Sequence, residues 1–251
     1  MTARFPFRKS IAGLAALTLA LGLAACGDKT EEGATSGEKI EVIAPPAGKA
    51  WTDMVAKTEE GGYRMGNPDA PIKLVEYGAL SCSHCAEFAK EAFEPLRDDY
   101  VASGRVSYEL RLYMLNVLDI PAALLATCGT DEAVLPLSEQ FWGWQGQMFD
   151  TIQGNQGQLQ AAGELPPAQR FQAIAQAAGM TDFFASRGIA KDQAAACLAD
   201  VDKATAFANQ TDTALQEKNV TGTPTFFING SNVGTASWDM LEPELQKAGA
   251  R

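Results

Sequence analysis

The alternation of apolar and polar residues predicts a strand, a helix and a second strand in the central part of the chain. Residues 72–77 (IKLVEY) have the composition of a β-strand. Further on, apolar side chains recur every four positions, as on one face of a helix: Phe88, Ala92, Leu96 and Tyr100. Pro95 is expected to kink or divide this helix. A second strand is predicted at 106–113, and this order favours a parallel pair with a right-handed crossover.

The rest of the chain predicts a long helical segment followed by a hairpin. Between about residues 114 and 217 the sequence is rich in Ala, Gln and Leu with helical spacing, and no stretch has the pattern of a strand. Residues 225–228 and 231–235 then flank Asn229-Gly230, the strongest two-residue signal for a β-hairpin. A closing helix completes the pattern, so the predicted order is βαβ, a helical insertion and ββα.

Residues 1–25 have the features of a secretory signal peptide. A basic start precedes the apolar run 11–25, which is short for a membrane-spanning helix. The tetrapeptide LAAC that ends at Cys26 resembles a bacterial lipobox, in which the Cys becomes the lipidated first residue of the mature chain. The alternative is a plain signal peptide that ends near a Cys. Residues 26–59 are predicted to be a lipidated N-terminus and a flexible tether outside the reducing cytosol.

Composition narrows the chemistry that the chain can perform. Its 251 residues include 31 acidic and 20 basic ones, five Cys and one His, with a formal net charge of −11. Three of the basic residues and none of the acidic ones precede Cys26, so the chain from Cys26 onward carries −14. Nucleic acid is disfavoured as a partner, because phosphate binding needs basic surface. A single His leaves few His-based catalytic or metal sites, and Cys becomes the leading candidate.

The segment Cys82-Ser83-His84-Cys85 is the candidate active site. At a strand-to-helix junction, Cys82 lies at a helix N-terminus, where unpaired N–H groups lower the pKa of a thiol and favour the thiolate. Cys85 follows one turn later, close enough to form a disulfide with Cys82. His84 is expected to give the thiolate positive charge or a hydrogen bond. Structural zinc is the alternative, but it usually takes two close pairs of ligands, and the remaining Cys are far apart in sequence.

This segment, the strand 75–77 and the run 221–230 (TGTPTFFING) resemble the DsbA-like branch of the thioredoxin superfamily. The resemblance covers roughly residues 60–251. It implies an α/β thioredoxin-like fold formed by residues 60–113 and 218–251, with an inserted all-helical domain at 114–217.

The resemblance also implies roles for individual residues. Cys82 would be the attacking thiol and Cys85 its buried partner. Pro224 would be a cis-proline that faces the disulfide, and Thr223 would contact the substrate backbone. Glu76 matches a buried acidic position that relays the proton of Cys85, a role that suits a desolvated carboxyl group with a raised pKa. The Ser-His dipeptide departs from the Pro-His of strong oxidants, and Thr223 is shared with isomerases and reductases.

Two further cysteines, Cys128 and Cys197, fall in the predicted helical insertion. They would be small buried hydrophobic residues if they were free thiols. In an exported protein we favour a second, structural disulfide between them, and some relatives of the family are similar in this respect. The aromatic cluster at 141–149 is expected to be core rather than binding surface.

The combined hypothesis is a lipid-anchored thiol–disulfide oxidoreductase at the periplasmic face of a bacterial membrane. It is expected to act as a monomeric dithiol oxidase on exported proteins with free thiols, with no cofactor and no metal. The family implies a membrane redox partner for reoxidation. Two alternatives stay open: an isomerase or reductase of the same fold, and a redox-inert lipoprotein that binds peptides.

Overall fold

A six-stranded mixed sheet forms the centre of the protein in a computed structural model that describes residues 37–251. Along the chain, its strands are β1 (Val55–Lys57), β2 (Tyr63–Met65), β3 (Ile72–Gly78), β4 (Val106–Leu112), β5 (Thr225–Ile228) and β6 (Ser231–Gly234). In space the order is β1-β2-β4-β3-β5-β6, with β3 and β4 parallel and the other neighbours antiparallel. The predicted signal peptide and Cys26 lie outside the described residues.

The helices mostly belong to one long insertion. They are α1 (Ser83–Pro95), α2 (Asp119–Ala126), α3 (Asp131–Gly154), α4 (Gln156–Ala162), α5 (Pro167–Ala177), α6 (Met180–Ala185), α7 (Lys191–Leu198), α8 (Val201–Lys218) and α9 (Trp238–Lys247). Since α2 to α8 lie between β4 and β5, the predicted α/β thioredoxin-like fold with a helical insertion is confirmed. Within residues 37–251, no helix combines the length and apolar character needed to cross a membrane.

The predicted strands and hairpin agree with the structure to within a residue or two. α1 joins the parallel strands β3 and β4, whose register sets Leu74 beside Tyr108. β5 and β6 are antiparallel and are joined by Asn229 and Gly230. These two residues have φ values of 50° and 82°, the left-handed conformation that an Asn-Gly hairpin turn requires.

Pro95 is the last residue of α1, in agreement with the prediction that it would kink or divide the helix. Proline has no N–H to donate, and its ring crowds the carbonyl group four residues earlier. The chain continues as a π-helical turn, Leu96–Val101. The face predicted from the spacing of apolar residues is nevertheless buried on both sides of this change: Phe88, Ala92, Leu96 and Tyr100.

The predicted tether is wrong for the part of residues 26–59 that the structure describes. The N–H of Ile40 donates to the carbonyl of Gly249 (3.0 Å), and the N–H of Ile43 donates to that of Ser103 (2.9 Å). Trp51 is buried and its indole N–H donates to the carbonyl of Ile43 (2.7 Å). β1 then adds an edge strand to the sheet. These contacts are single long-range hydrogen bonds without a periodic pattern, so composition alone suggested a flexible segment.

The insertion contributes a cluster of aromatic rings to the hydrophobic core that it shares with the sheet. The ring of Phe141 contacts those of Trp144, Phe183 and Phe184 at centroid distances of 5.4 to 5.6 Å. Phe141, Trp142 and Met148 are buried, as expected for the cluster at 141–149. Phe149 is the exception, since 36% of it is exposed.

Candidate active site

Cys82 lies at the junction between the sheet and α1. β3 ends at Gly78, a short loop follows, and Cys82 is the N-cap residue of α1 with an extended backbone. Its Sγ accepts the N–H of Cys85 at 3.3 Å, one of the N–H groups that a helix start leaves without a partner. Cys82 and Cys85 are both free thiols, and Cys85 is fully buried. The predicted placement of the CSHC segment at a helix N-terminus therefore agrees with the structure.

The loop before β5 faces Cys82. Antiparallel pairing of β3 with β5 sets Tyr77 beside Thr225, which brings the preceding residues to the start of α1. The Thr223–Pro224 peptide bond is cis, as the family resemblance implied. The Cys82 thiol donates to the carbonyl oxygen of Thr223 at 3.3 Å. The Thr223 hydroxyl is buried without a partner in this thiol form, so it is available to a thiolate at the same position.

The two thiols have opposite pKa shifts. Hydrogen bonding from the Cys85 thiol is the main cause that lowers the pKa of Cys82 to about 5. The Thr223 hydroxyl and the N–H groups of Cys85 and His84 act in the same direction, and together they outweigh the effect of burial. For Cys85, burial first and the bond to Cys82 second raise the pKa well above its usual value. These shifts favour the thiolate at Cys82 and the protonated thiol at Cys85.

A buried carboxyl group, Glu76, lies on β3 beneath this pair. It is fully buried, and burial is the main reason that its pKa is raised to about 8. Its Oε2 accepts a hydrogen bond from the Tyr108 hydroxyl at 2.6 Å, while Oε1 has no partner. The negative charge of Glu76 is one of the factors that raise the pKa of Cys85, which indicates that the two groups are coupled. The burial of Glu76 agrees with the buried acidic position that the family resemblance implied.

Tyr108 is a site residue that sequence reasoning missed. It lies on β4 and is buried, and burial followed by the charge of Glu76 raises the pKa of its phenol well above the usual value. It therefore stays protonated and serves as a hydrogen-bond donor. In sequence Tyr108 is one more aromatic residue of a predicted strand. The parallel register of β3 and β4 was the signal that could have placed it near Glu76.

His84 does not contact the Cys82 thiol through its ring. The side chain is 74% exposed, and Nδ1 lies 3.1 Å from Oε2 of Glu87. The prediction that the His84 imidazole supports the Cys82 thiolate is therefore corrected. The main-chain N–H of His84 is the group that lowers the pKa of Cys82. A side chain at the first turn of a helix projects outward, whereas its N–H points to the N-cap residue.

Asp119 anchors the loop before Cys82 and was also missed. Its Oδ1 accepts the N–H of Ser81 (2.8 Å), and Oδ2 accepts the Ser81 hydroxyl (2.9 Å). Oδ2 further accepts the N–H groups of Leu115 (3.0 Å) and Asn116 (2.9 Å). The carboxyl group is buried, so burial raises its pKa although these hydrogen bonds oppose the shift. Asp119 thus joins the segment before α2 to the active-site loop, a long-range contact with no sequence motif.

The remaining cysteines divide between the insertion and the N-terminus. Cys128 and Cys197 form a disulfide with Cα atoms 5.8 Å apart, which links the end of α2 to α7. Cys26, predicted to carry the lipid, is not among the described residues.

A groove lies between the cis-proline and the first turns of α1. It has a volume of about 330 Å³ and is lined among others by His84, Glu87, Phe88, Pro224 and Met240. A larger cavity of about 590 Å³ lies on the sheet and contains no Cys. The smaller groove is not lined by a Cys either, but it borders Pro224 and His84, which belong to the two segments that meet at Cys82.

A low-pKa thiol at a helix N-terminus, one turn before a buried thiol and against a cis-proline, is an arrangement typical of the class of thiol–disulfide oxidoreductases. Comparison with known families agrees with this class: the family described as thioredoxin matches residues 58–247. The chain therefore belongs to the thioredoxin family.

Solved structures support the same fold. A protein-disulfide isomerase from Novosphingobium aromaticivorans is 30% identical, with a TM-score of 0.68 over 73% of this chain and 94% of that one. Alpha-DsbA1 of Wolbachia pipientis is 19% identical, with a TM-score of 0.60 over 75% of this chain and 90% of that one. The second similarity bears on the fold alone.

A curated relative matches the chain over part of its own length. It is a provisionally assigned protein-disulfide oxidoreductase of Rickettsia prowazekii (strain Madrid E), 26% identical over 198 residues. The match covers 78% of this chain and 65% of that protein, so this chain spans just under two thirds of the relative.

Proposed function

We propose that the protein is a thiol–disulfide oxidoreductase that acts as a dithiol oxidase on exported proteins in the bacterial envelope. The observation that carries the proposal is Cys82 itself, held at the N-terminus of α1 against the cis Thr223–Pro224 bond with a pKa of about 5. A thiolate stabilised in this way makes a good leaving group, and it stabilises the reduced enzyme relative to the disulfide.

In the first step a substrate thiolate attacks Sγ of Cys82 in the Cys82–Cys85 disulfide. A bond forms between the substrate sulfur and Cys82, and the sulfur of Cys85 leaves with the electron pair of the broken bond. Glu76, with a pKa of about 8, is largely protonated at pH 7 and supplies the proton that Cys85 takes up. The carbonyl of Thr223, freed from the Cys82 thiol, is available to the substrate backbone.

In the second step another substrate thiolate attacks the substrate sulfur of this mixed disulfide. The substrate disulfide forms, and Cys82 leaves as a thiolate, the form that its lowered pKa favours at pH 7. The substrate has lost two electrons, which the enzyme holds as the Cys82 thiolate and the Cys85 thiol. A membrane quinone-linked partner that reoxidises this pair completes the proposed cycle.

Replacement of Glu76 by Gln is expected to slow reduction of the Cys82–Cys85 disulfide by at least about tenfold at pH 7, because Gln cannot donate a proton to Cys85. The donor form of Glu76 is present below its pKa of about 8 and is lost above it. Expressed per substrate thiolate, the stopped-flow rate across this range should therefore decrease with rising pH in the wild type but not in Glu76→Gln. The exposed Glu164→Gln variant is the control, and an unchanged pH profile in Glu76→Gln would exclude the relay.

Equilibration of the Cys82/Cys85 pair with defined glutathione ratios tests the direction of the reaction. We expect a reduction potential of about −120 mV, typical of a strong oxidant, whereas a value of about −270 mV would identify a reductase.

The Cys82 thiolate is expected to stabilise the reduced protein increasingly above pH 5, because the pKa of Cys82 is lowered in the folded state. The melting temperature of the reduced protein should therefore approach that of the oxidised protein as the pH falls through 5.

The envelope location and the lipid anchor at Cys26 form part of the same proposal. They are supported by the basic start, the apolar run 11–25 and the LAAC tetrapeptide. Several acyl chains on one Cys would hold the protein at a membrane, at about 0.8 kcal/mol per buried methylene group. Mass spectrometry of the N-terminal peptide from membrane-purified protein tests the anchor, and an unmodified Cys26 would exclude it.

An isomerase is the second candidate function. The observation in its favour is the 30% identity to a structure named as a protein-disulfide isomerase, together with Thr223 before the cis-proline. Isomerases of this superfamily usually form oligomers, whereas we expect a monomer. Sedimentation of the lipid-free protein separates the two, since a stable oligomer would count against the oxidase.

A further inference from the structure

Two side chains of α3 hold the carbonyl groups of the loop that carries Cys82. The indole N–H of Trp142 donates to the carbonyl of Ala79 at 3.0 Å. The side-chain amide of Gln145 donates to the carbonyls of both Leu80 (2.8 Å) and Cys82 (3.0 Å). The loop is thus fixed by a helix of the insertion as well as by the sheet.

The two bonds of Gln145 determine how Cys82 is oriented. They hold the carbonyls before and after the Ser81–Cys82 peptide unit, so a change confined to the backbone dihedral angles of Cys82 would break one of them. The Cys82 carbonyl also accepts the first helical bond, from the N–H of Ala86 at 3.2 Å. In this orientation Sγ lies 3.3 Å from the N–H of Cys85. Gln145 is only 5% exposed, so water cannot readily replace its amide.

Gln145 is more specific to Cys82 than Asp119 is. The Asp119 carboxylate also binds the N–H groups of Leu115 and Asn116, so its loss would disturb the whole segment before α2. The known contacts of the Gln145 amide go to Leu80 and Cys82, both in the active-site loop.

We infer that Gln145 is a positioning residue for the nucleophile: its amide holds Cys82 so that Sγ receives the N–H of Cys85, which stabilises the thiolate. The inference deepens the proposed function and rests on it, because thiolate stability sets how strongly the Cys82–Cys85 disulfide oxidises a substrate. Through this residue the helical insertion contributes to the chemistry as well as to the fold.

The test compares Gln145→Leu with Gln147→Leu, the same substitution at an exposed position of the same helix. The ionisation of Cys82 is followed in the full-length reduced protein by the ultraviolet absorbance of the thiolate as a function of pH. We expect Gln145→Leu to raise the midpoint by about half a pH unit or more, a factor of about three in thiolate stability. The equilibrium constant with glutathione should move about threefold toward the protein disulfide, and Gln147→Leu should change neither value.

Gln145→Asn serves as a second variant in case Gln145→Leu does not fold. It keeps the amide but shortens its reach, and we expect a midpoint between those of the wild type and Gln145→Leu. A wild-type midpoint in folded Gln145 variants, even with a lower melting temperature, would overturn the inference and leave a merely structural role. If the wild type failed to oxidise a reduced test protein, that result would instead count against the proposed function. The ionisation midpoints of the variants could still be compared, so the two failures can be distinguished.

Discussion

Replacement of Cys82 by Ser is expected to reduce oxidation of a reduced test protein to the rate seen without enzyme. A Ser hydroxyl cannot form the disulfide that is attacked in the first step, and it is far less acidic than the Cys82 thiol, whose pKa is about 5. Both steps of the proposed cycle pass through Sγ of Cys82, so no part of it survives the change. The measurement is the loss of free thiols from the test protein, with the enzyme supplied in its oxidised form.

Cys85→Ser provides the matched control for this experiment. It keeps the Cys82 thiol at the N-terminus of α1 but removes the buried thiol that can attack a mixed disulfide and re-form the Cys82–Cys85 bond. With oxidised glutathione as the oxidant, the Cys82 thiolate of Cys85→Ser attacks one of its sulfurs and the other half leaves as glutathione thiolate. We therefore expect Cys85→Ser to accumulate a mixed disulfide with glutathione, and Cys82→Ser to accumulate none. If the oxidation rate with Cys82→Ser equalled the rate with the wild type, the result would contradict the enzymatic function. It would favour the redox-inert lipoprotein that binds peptides.

The elements that surround the site could be predicted because short-range patterns define them. The alternation at 72–77, the Asn229-Gly230 turn and the spacing of the CSHC segment each require only a few neighbouring residues. The cis Thr223–Pro224 bond could be predicted only from the family resemblance. Local periodicity and one motif thus sufficed to place Cys82 and Cys85, whereas the buried position of Glu76 followed only from the family resemblance.

The groups that tune the site were not predictable from local sequence. Tyr108, Asp119 and Gln145 reach it from β4, α2 and α3, through hydrogen bonds between residues at least 32 positions apart. An Asp in the first turn of a helix or a Gln in its middle is common, and nothing local distinguishes these two. His84 shows the converse, because its position in the motif suggested a role for a ring that points to Glu87.

The largest expected effect on stability comes from removing the Cys128–Cys197 disulfide. It closes a loop between residues 69 positions apart, and the chain-entropy account assigns such a loop about 4 kcal/mol of folding free energy. We expect the Cys128→Ser/Cys197→Ser double variant to lose about this amount. Urea unfolding is best measured in a Cys82→Ser/Cys85→Ser background, so that no other pair among residues 37–251 can form a disulfide.

Two hydrogen bonds close to the Cys128–Cys197 disulfide decide how the stability of the double variant is interpreted. Gln193 donates to the carbonyl of Cys128 (2.9 Å), and Lys203 donates to that of Thr127 (2.7 Å), so side chains from α7 and α8 cap the end of α2 without the disulfide. If they held the junction alone, the double variant would lose less than about 1 kcal/mol, which would contradict a structural role for the disulfide. With Cys82 and Cys85 intact, the double variant should keep the wild-type glutathione equilibrium. Among residues 37–251, no hydrogen bond joins either active-site thiol to Cys128 or Cys197.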